Sequence, residues 1–151
     1  MDGWSANATE LGPADWSISR NADFWVDGAT SLRIDLDNLN GKGAVWIEKG
    51  FAVEPRSKYL VTLNYAFSPR NFTDFRTIVS VFRSPTLTAD DLSSAYQGDP
   101  FLAPLWWPQR YEFTIKSKKT SAIYVFIGVK GTKETRREYF IDSVCVTLTK
   151  L

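Results

Sequence analysis

Apolar and polar residues alternate along most of this chain with the period of two that marks a half-buried strand. The clearest run is Tyr59-Leu60-Val61-Thr62-Leu63-Asn64-Tyr65-Ala66-Phe67. Its odd positions are large and apolar or aromatic while the even ones include Thr62 and Asn64, so one face must meet a core. Residues 121–129 repeat the pattern, with Ile123, Val125, Ile127 and Val129 on one face and Tyr124, Phe126 and Gly128 on the other. Within 44–53, Val45, Ile47, Phe51 and Val53 share a face, which leaves Trp46 and Glu48 together on the opposite one. Further strands are predicted over 16–19, 31–36, 76–83, 109–115 and 138–148. Turn-rich pieces separate them, such as Asp37-Asn38-Leu39-Asn40-Gly41-Lys42-Gly43 and Glu54-Pro55-Arg56-Ser57. Eight strands in one domain predict an all-β fold, a two-sheet antiparallel β-sandwich. Tyr59, Val61, Leu63, Tyr65, Ile123, Val125 and Ile127 should fill its shared core.

One helical signal interrupts the strands. Thr88-Ala89-Asp90-Asp91 has the form of a capping box with Asp in place of Glu, flanked by Leu87 and Leu92 as a hydrophobic staple. Gly98 would end a helix of about two turns. Residues 84–107 then form a long excursion between two strands, carrying one short helix together with Tyr96, Phe101, Trp106 and Trp107. Pro108 drives Trp107 into an extended conformation, so Trp106 and Trp107 should point to opposite sides. An excursion of this length is also a possible cover for an aromatic outer face.

Composition narrows the functional field. The 151 residues are 44% hydrophobic and 23% charged, which fits one domain over 1–151 with a core large enough to stand without disulfide or metal. Eighteen Lys and Arg against 17 Asp and Glu leave +1, too small an excess to predict a nucleic-acid partner. The absence of histidine removes the commonest general base, the Ser-His-Asp and Cys-His arrangements and most catalytic zinc sites. Cys145, the single cysteine, lies in an apolar stretch and reads as a small core residue. No apolar run approaches the ~20 residues that span a bilayer, so no membrane insertion is expected. Met1-Asp2-Gly3-Trp4 lacks the basic and apolar regions of a signal peptide.

Four local patterns, in this order, resemble the galactose-binding-like jelly roll, and in particular the non-catalytic carbohydrate-binding modules of extracellular glycoside hydrolases. Asn7-Ala8-Thr9-Glu10-Leu11-Gly12 followed by Trp16 is similar to the family's opening segment, and Asp27-Gly28-Ala29-Thr30-Ser31-Leu32-Arg33-Ile34 to a characteristic strand entry. Glu54-Pro55-Arg56-Ser57-Lys58-Tyr59 resembles the turn before its central strand, with Arg56 or Ser57 where Gly is usual. Tyr139-Phe140-Ile141-Asp142-Ser143-Val144 resembles the terminal strand, with Ser143 replacing a second Asp. The resemblance implies a non-enzymatic, extracellular or cell-surface domain within a larger protein. It also implies a structural calcium, with Glu10, Asp142 and the backbone near Thr30 at the matching positions. Without a metal, Glu10 and Asp142 would satisfy backbone donors at a turn and a bulge.

Sugar recognition needs flat aromatic faces against C–H surfaces, with amides or carboxylates to pair with adjacent hydroxyls. Trp46, Tyr124 and Trp106 are the expected stacking residues, and Asn64 and Glu48 the expected hydrogen-bonding ones, if the strands that carry them share one sheet. The competing reading is a structural or adhesive jelly-roll domain of a larger extracellular, surface or phage assembly, whose aromatics are all core or interface. A stand-alone glycosidase is disfavoured, because nothing in the spacing of Glu48, Asp74, Asp99 or Glu112 sets two carboxylates across a cleft. The mixed-charge segment 130–138 reads as a solvated hairpin, with contact to an anionic polysaccharide or lipid as the lesser alternative. Asn7-Ala8-Thr9 and Asn71-Phe72-Thr73 fit the glycosylation acceptor pattern.

Overall fold

A computed structural model describes residues 3–12, 15–37, 41–69, 75–85, 96–97, 106–131 and 135–151. Among these the chain forms ten strands: β1 (Ser5–Thr9), β2 (Trp16–Asn21), β3 (Ser31–Asp37), β4 (Ala44–Ala52), β5 (Lys58–Ser68), β6 (Phe75–Phe82), β7 (Tyr96–Gln97), β8 (Trp107–Lys116), β9 (Ala122–Gly131) and β10 (Arg136–Lys150). They pair antiparallel in two five-stranded sheets, one ordered β1-β4-β9-β6-β7 and the other β2-β3-β10-β5-β8. This is the predicted two-sheet antiparallel β-sandwich.

Alternation dictates what lies between the layers. Val45 and Ile47 from β4, Ile123, Val125, Ile127 and Val129 from β9, and Val79 from β6 face Val61, Leu63, Tyr65 and Phe67 from β5. Ile34 and Leu36 from β3 and Tyr139 and Ile141 from β10 complete this core. Each fully buried aliphatic side chain contributes ~1.5–3 kcal/mol, enough that a one-residue slip, which would turn the whole set outward, is strongly disfavoured. All seven core residues expected from the alternation, Tyr59 to Tyr65 and Ile123 to Ile127, are buried.

Two expectations need correction. Cys145 is exposed, because the β5–β10 register shifts between Asp142 and Cys145, with Ser143 in the left-handed region at φ 53°. The bulge reverses parity: Tyr139 and Ile141 point inward before it, whereas Val144, Val146 and Leu148 do so after it, which turns Cys145 out. β8 begins at Trp107 rather than at 109, since Trp107 itself packs on the core. The helix expected from Thr88 onward lies outside the described residues, apart from Tyr96 and Gln97, which pair with β6 as β7.

Candidate functional site

The outer face of the β4–β9 pair carries three of the expected sugar-binding residues. Register places Trp46 opposite Gly128 and Tyr124 opposite Gly50, so each ring crosses a strand that has no side chain in its way. A Cβ built on Gly128 would lie 2.5 Å from the Trp46 Cβ, and one on Gly50 would lie 2.9 Å from the Tyr124 ring. Trp46 is nevertheless only 5% exposed, and its indole Nε1–H donates to Glu48 Oε2 at 2.8 Å. Ala44, Ile78 and Phe126 are buried with Trp46, and Tyr124 and Phe82 pack partly buried against them. This face is a second apolar layer, and the bond between Trp46 and Glu48 satisfies both buried polar groups.

Asn64 belongs to the other sheet, and Trp106 directly precedes β8 of that sheet, so the platform expected from Trp46, Glu48, Asn64 and Tyr124 does not form: β4 and β9 lie in one layer and β5 in the other. On this second outer face, β5 and β8 set Asn64 beside Arg110, Ala66 beside Pro108 and Thr62 beside Glu112. Asn64, Ala66, Pro108, Arg110 and Ser143 line an open hollow of about 350 Å³. Arg110 Nη2 donates to Glu112 Oε1 at 2.6 Å. Trp106 lies two residues along from Pro108 on the same side. It stacks on Phe24 with ring centroids 4.9 Å apart, and both rings meet the edge of buried Phe140. Trp107 packs inward, so the two tryptophans diverge as the following proline predicts.

The loop that brings Phe24 to this face is fastened by Asp142. Its Oδ2 accepts from the backbone N–H of Val26 at 2.8 Å and Asp27 at 3.0 Å, and its Oδ1 from that of Ser143 at 2.7 Å. Trp25 and Val26 are held outward here, 46% and 48% exposed, the two most exposed large apolar residues before Leu151 among the described residues. Between the sheets at this end opens a cleft of about 490 Å³ with Trp4, Ile18, Leu32 and Ile47 on its floor and Arg20, Thr30 and Asp142 at its rim.

The expected calcium ligands do not fit one ion. Thr30 and Asp142 share the cleft, but Glu10 follows Thr9, which pairs with Ala44 at the far end of β1 from Trp4. Five residues of extended chain put ~15 Å between those ends. Asp142 instead spends its carboxylate on three backbone N–H groups at a bulge, the hydrogen-bonding role open to it without a metal. No group of three or more Cys, Asp or Glu suited to a metal occurs among the described residues.

No family model matches the chain, and no curated protein does. Solved structures do. Over 99% of this chain and 87% of the other, it superimposes on the CBM22-1 xylan-binding domain of Paenibacillus barcinonensis Xyn10C with TM-score 0.55 at 13% identity. The arabinose-bound α-L-arabinofuranosidase MgGH51 gives TM-score 0.60 at 12% identity over 97% of this chain and 23% of that one. The enzymatically active domain of tailspike protein 4 of bacteriophage CBA120 gives 0.54 at 12% over 97% and 19%. The chain has the jelly-roll β-sandwich fold of carbohydrate-binding modules. Among the described residues no helix is long and apolar enough to cross a membrane.

Trp25 and Phe24 escaped the pattern-based reading because they belong to no alternating run. A tryptophan in the turn-rich segment between the strands at 16–21 and 31–37 was the available signal, since a loop ring without a strand face to pack on is either exposed or a lid.

Proposed function

We propose that this domain is a non-catalytic carbohydrate-binding module that holds a glycan against the outer face of β5 and β8, as one part of a larger extracellular chain. The observation that carries the reading is the open hollow over Asn64, Ala66, Pro108 and Arg110, next to Trp106 and the fastened loop bearing Trp25. Ala66 and Pro108 give a flat apolar floor, the Asn64 amide and Arg110 guanidinium supply directional donors, and Trp25 offers the most exposed indole for stacking. Glu112, the carboxylate next to the hollow, is held by Arg110, which supports binding rather than acid–base chemistry.

A second reading, a structural domain of a larger assembly with no sugar ligand, is favoured by the burial of Trp46 and Glu48 and by the likeness to the tailspike. A glycan array followed by titration separates the two. Under the binding reading Trp25→Ala leaves the melting temperature within a degree or two and weakens affinity about thirtyfold, the ~2 kcal/mol of a central stacking residue. Asn64→Ala weakens it less. A wild-type domain that binds no glycan on the array refutes the binding reading.

A further inference from the structure

Charge is distributed very unevenly over this nearly neutral chain. At the end of the sandwich where β4 turns into β5 and β8 into β9 stand Arg56, Lys58, Arg83, Lys116, Lys118, Lys119 and Lys150, all exposed. Among the described residues Glu54 is the one side-chain carboxylate at this end, and it is taken up by Lys150. Elsewhere among the described residues nine basic side chains stand against ten acidic ones, so the excess of positive charge is concentrated at this end. Arg83 spends its Nε–H on the Lys116 carbonyl at 2.6 Å. Among the described residues Arg56, Lys58, Lys116, Lys118 and Lys119 have no carboxylate partner.

The backbone fixes these cations in place at some cost to stability. The Arg56 N–H donates to the Lys118 carbonyl, and the Ser117 hydroxyl lies at 2.8 Å from the Glu54 carbonyl and 3.2 Å from the Ser57 carbonyl, tying one turn to the other. Arg56 and Lys118 adopt left-handed conformations, φ 60° and 54°, where glycine or asparagine is favoured. Lys58 and Lys116 sit directly opposite each other in the β5–β8 ladder, a repulsive pairing. Four positions at which a basic residue is unfavourable for folding thus carry basic residues, on a preorganised support. Lys58 and Lys116 also lie on the same outer face as Asn64 and Arg110, six residues or ~20 Å along the strands, so the basic end continues the hollow.

We infer that the ligand is an anionic polysaccharide, its carboxylate or sulfate groups meeting this basic end while the chain runs along β5 and β8. The inference rests on the glycan-binding reading above. A long phosphate polymer or a lipid surface fits less well, because the described charges elsewhere nearly balance and leave no wider basic face to meet a broad sheet of negative charge.

The test measures binding of polygalacturonate, dextran sulfate, neutral dextran, neutral xylan and a single-stranded oligonucleotide to the wild type and to a Lys58→Gln, Lys116→Gln, Lys118→Gln, Lys119→Gln variant, at low and raised salt. The variant keeps the core and relieves the Lys58–Lys116 repulsion, so its melting temperature should be unchanged or slightly higher. The expected result is salt-sensitive binding of at least one of the two anionic polysaccharides, weakened on the order of tenfold or more in the variant, with any binding of neutral glycans unaltered. Binding of neutral and anionic glycans that is equal and indifferent to the four substitutions overturns the inference and leaves the glycan-binding reading standing. Oligonucleotide binding as tight as that of either anionic polysaccharide overturns the choice of ligand. A wild type that binds none of the polysaccharides overturns both.

Discussion

Replacing Trp46 by Ala tests whether the aromatic face of β4 and β9 is interior. The indole is 5% exposed, shares a buried cluster with Ala44, Ile78 and Phe126, and donates to Glu48 Oε2 at 2.8 Å. Truncating a buried tryptophan costs ~3–5 kcal/mol through lost transfer energy and the cavity left behind. Losing the donor leaves the Glu48 carboxylate, itself 8% exposed, short of a partner, which adds ~1–3 kcal/mol. For a domain of this length each kcal/mol moves the midpoint by ~2–4 °C, so the melting temperature should fall by on the order of 10–20 °C. Trp46→Phe keeps most of the apolar volume and gives up the hydrogen bond, and should lose about a third as much. Thermal melts by circular dichroism, paired with glycan titration on the surviving folded protein, give both quantities. If Trp46→Ala melts within 2 °C of wild type while glycan affinity collapses, the burial argument is wrong and the ring is a ligand contact.

The two glycines opposite the aromatic rings should respond differently. Gly128→Ala drives a Cβ to 2.2 Å from the Val45 carbonyl oxygen and 2.6 Å from the Trp46 Cα, backbone that cannot move aside, and should cost more than 2 kcal/mol in chemical denaturation. Gly50→Ala meets the swinging edge of Tyr124 and should cost less than half as much. Asp142→Ala removes the carboxylate that accepts from Val26 and Asp27 in the loop at 24–27 and from Ser143 at the bulge, and should expose that loop to limited proteolysis with a loss of ~2–3 kcal/mol, while excess chelator leaves the wild-type melt unchanged. Burial, with a smaller effect from Tyr111, pushes the Tyr65 hydroxyl well above the usual phenol range. The unfolded chain then releases this proton first, so stability should decline as pH rises above about 10, and Tyr65→Phe should move the onset of alkaline unfolding upward.

Strands and core were legible because period-two alternation is local: the faces of β5 and β9 can be read from a few neighbouring residues each. Which strands share a sheet is a long-range property, and it decides the fate of the candidate site. Tyr124 and Asn64 look alike as occupants of a non-core face, yet they end in opposite layers. Cys145 was misplaced for a related reason, since one extra residue at Ser143 reverses inside and outside for everything after it and leaves no mark in hydrophobicity. Glu10 and Asp142 were paired by resemblance, but the positions they occupy here lie at opposite ends of the sandwich. Trp106 and Trp107 could be told apart because a proline constrains the residue before it whatever the tertiary structure.

The glycine–aromatic pairs of β4 and β9 bear on how the chain finds its alignment. These strands are separated by some seventy residues of intervening sequence and must meet late, as long-range contacts do, with many offsets on offer. Any slip by two residues keeps apolar faces inward and so escapes the penalty that polarity imposes. It would, however, set Trp46 against Phe126 or Lys130 instead of Gly128, and Tyr124 against Glu48 or Ala52 instead of Gly50. The missing side chains act as keyholes at two points along the ladder, accepting one offset and refusing its neighbours, so that correct assembly is selected by shape where hydrophobicity alone is indifferent.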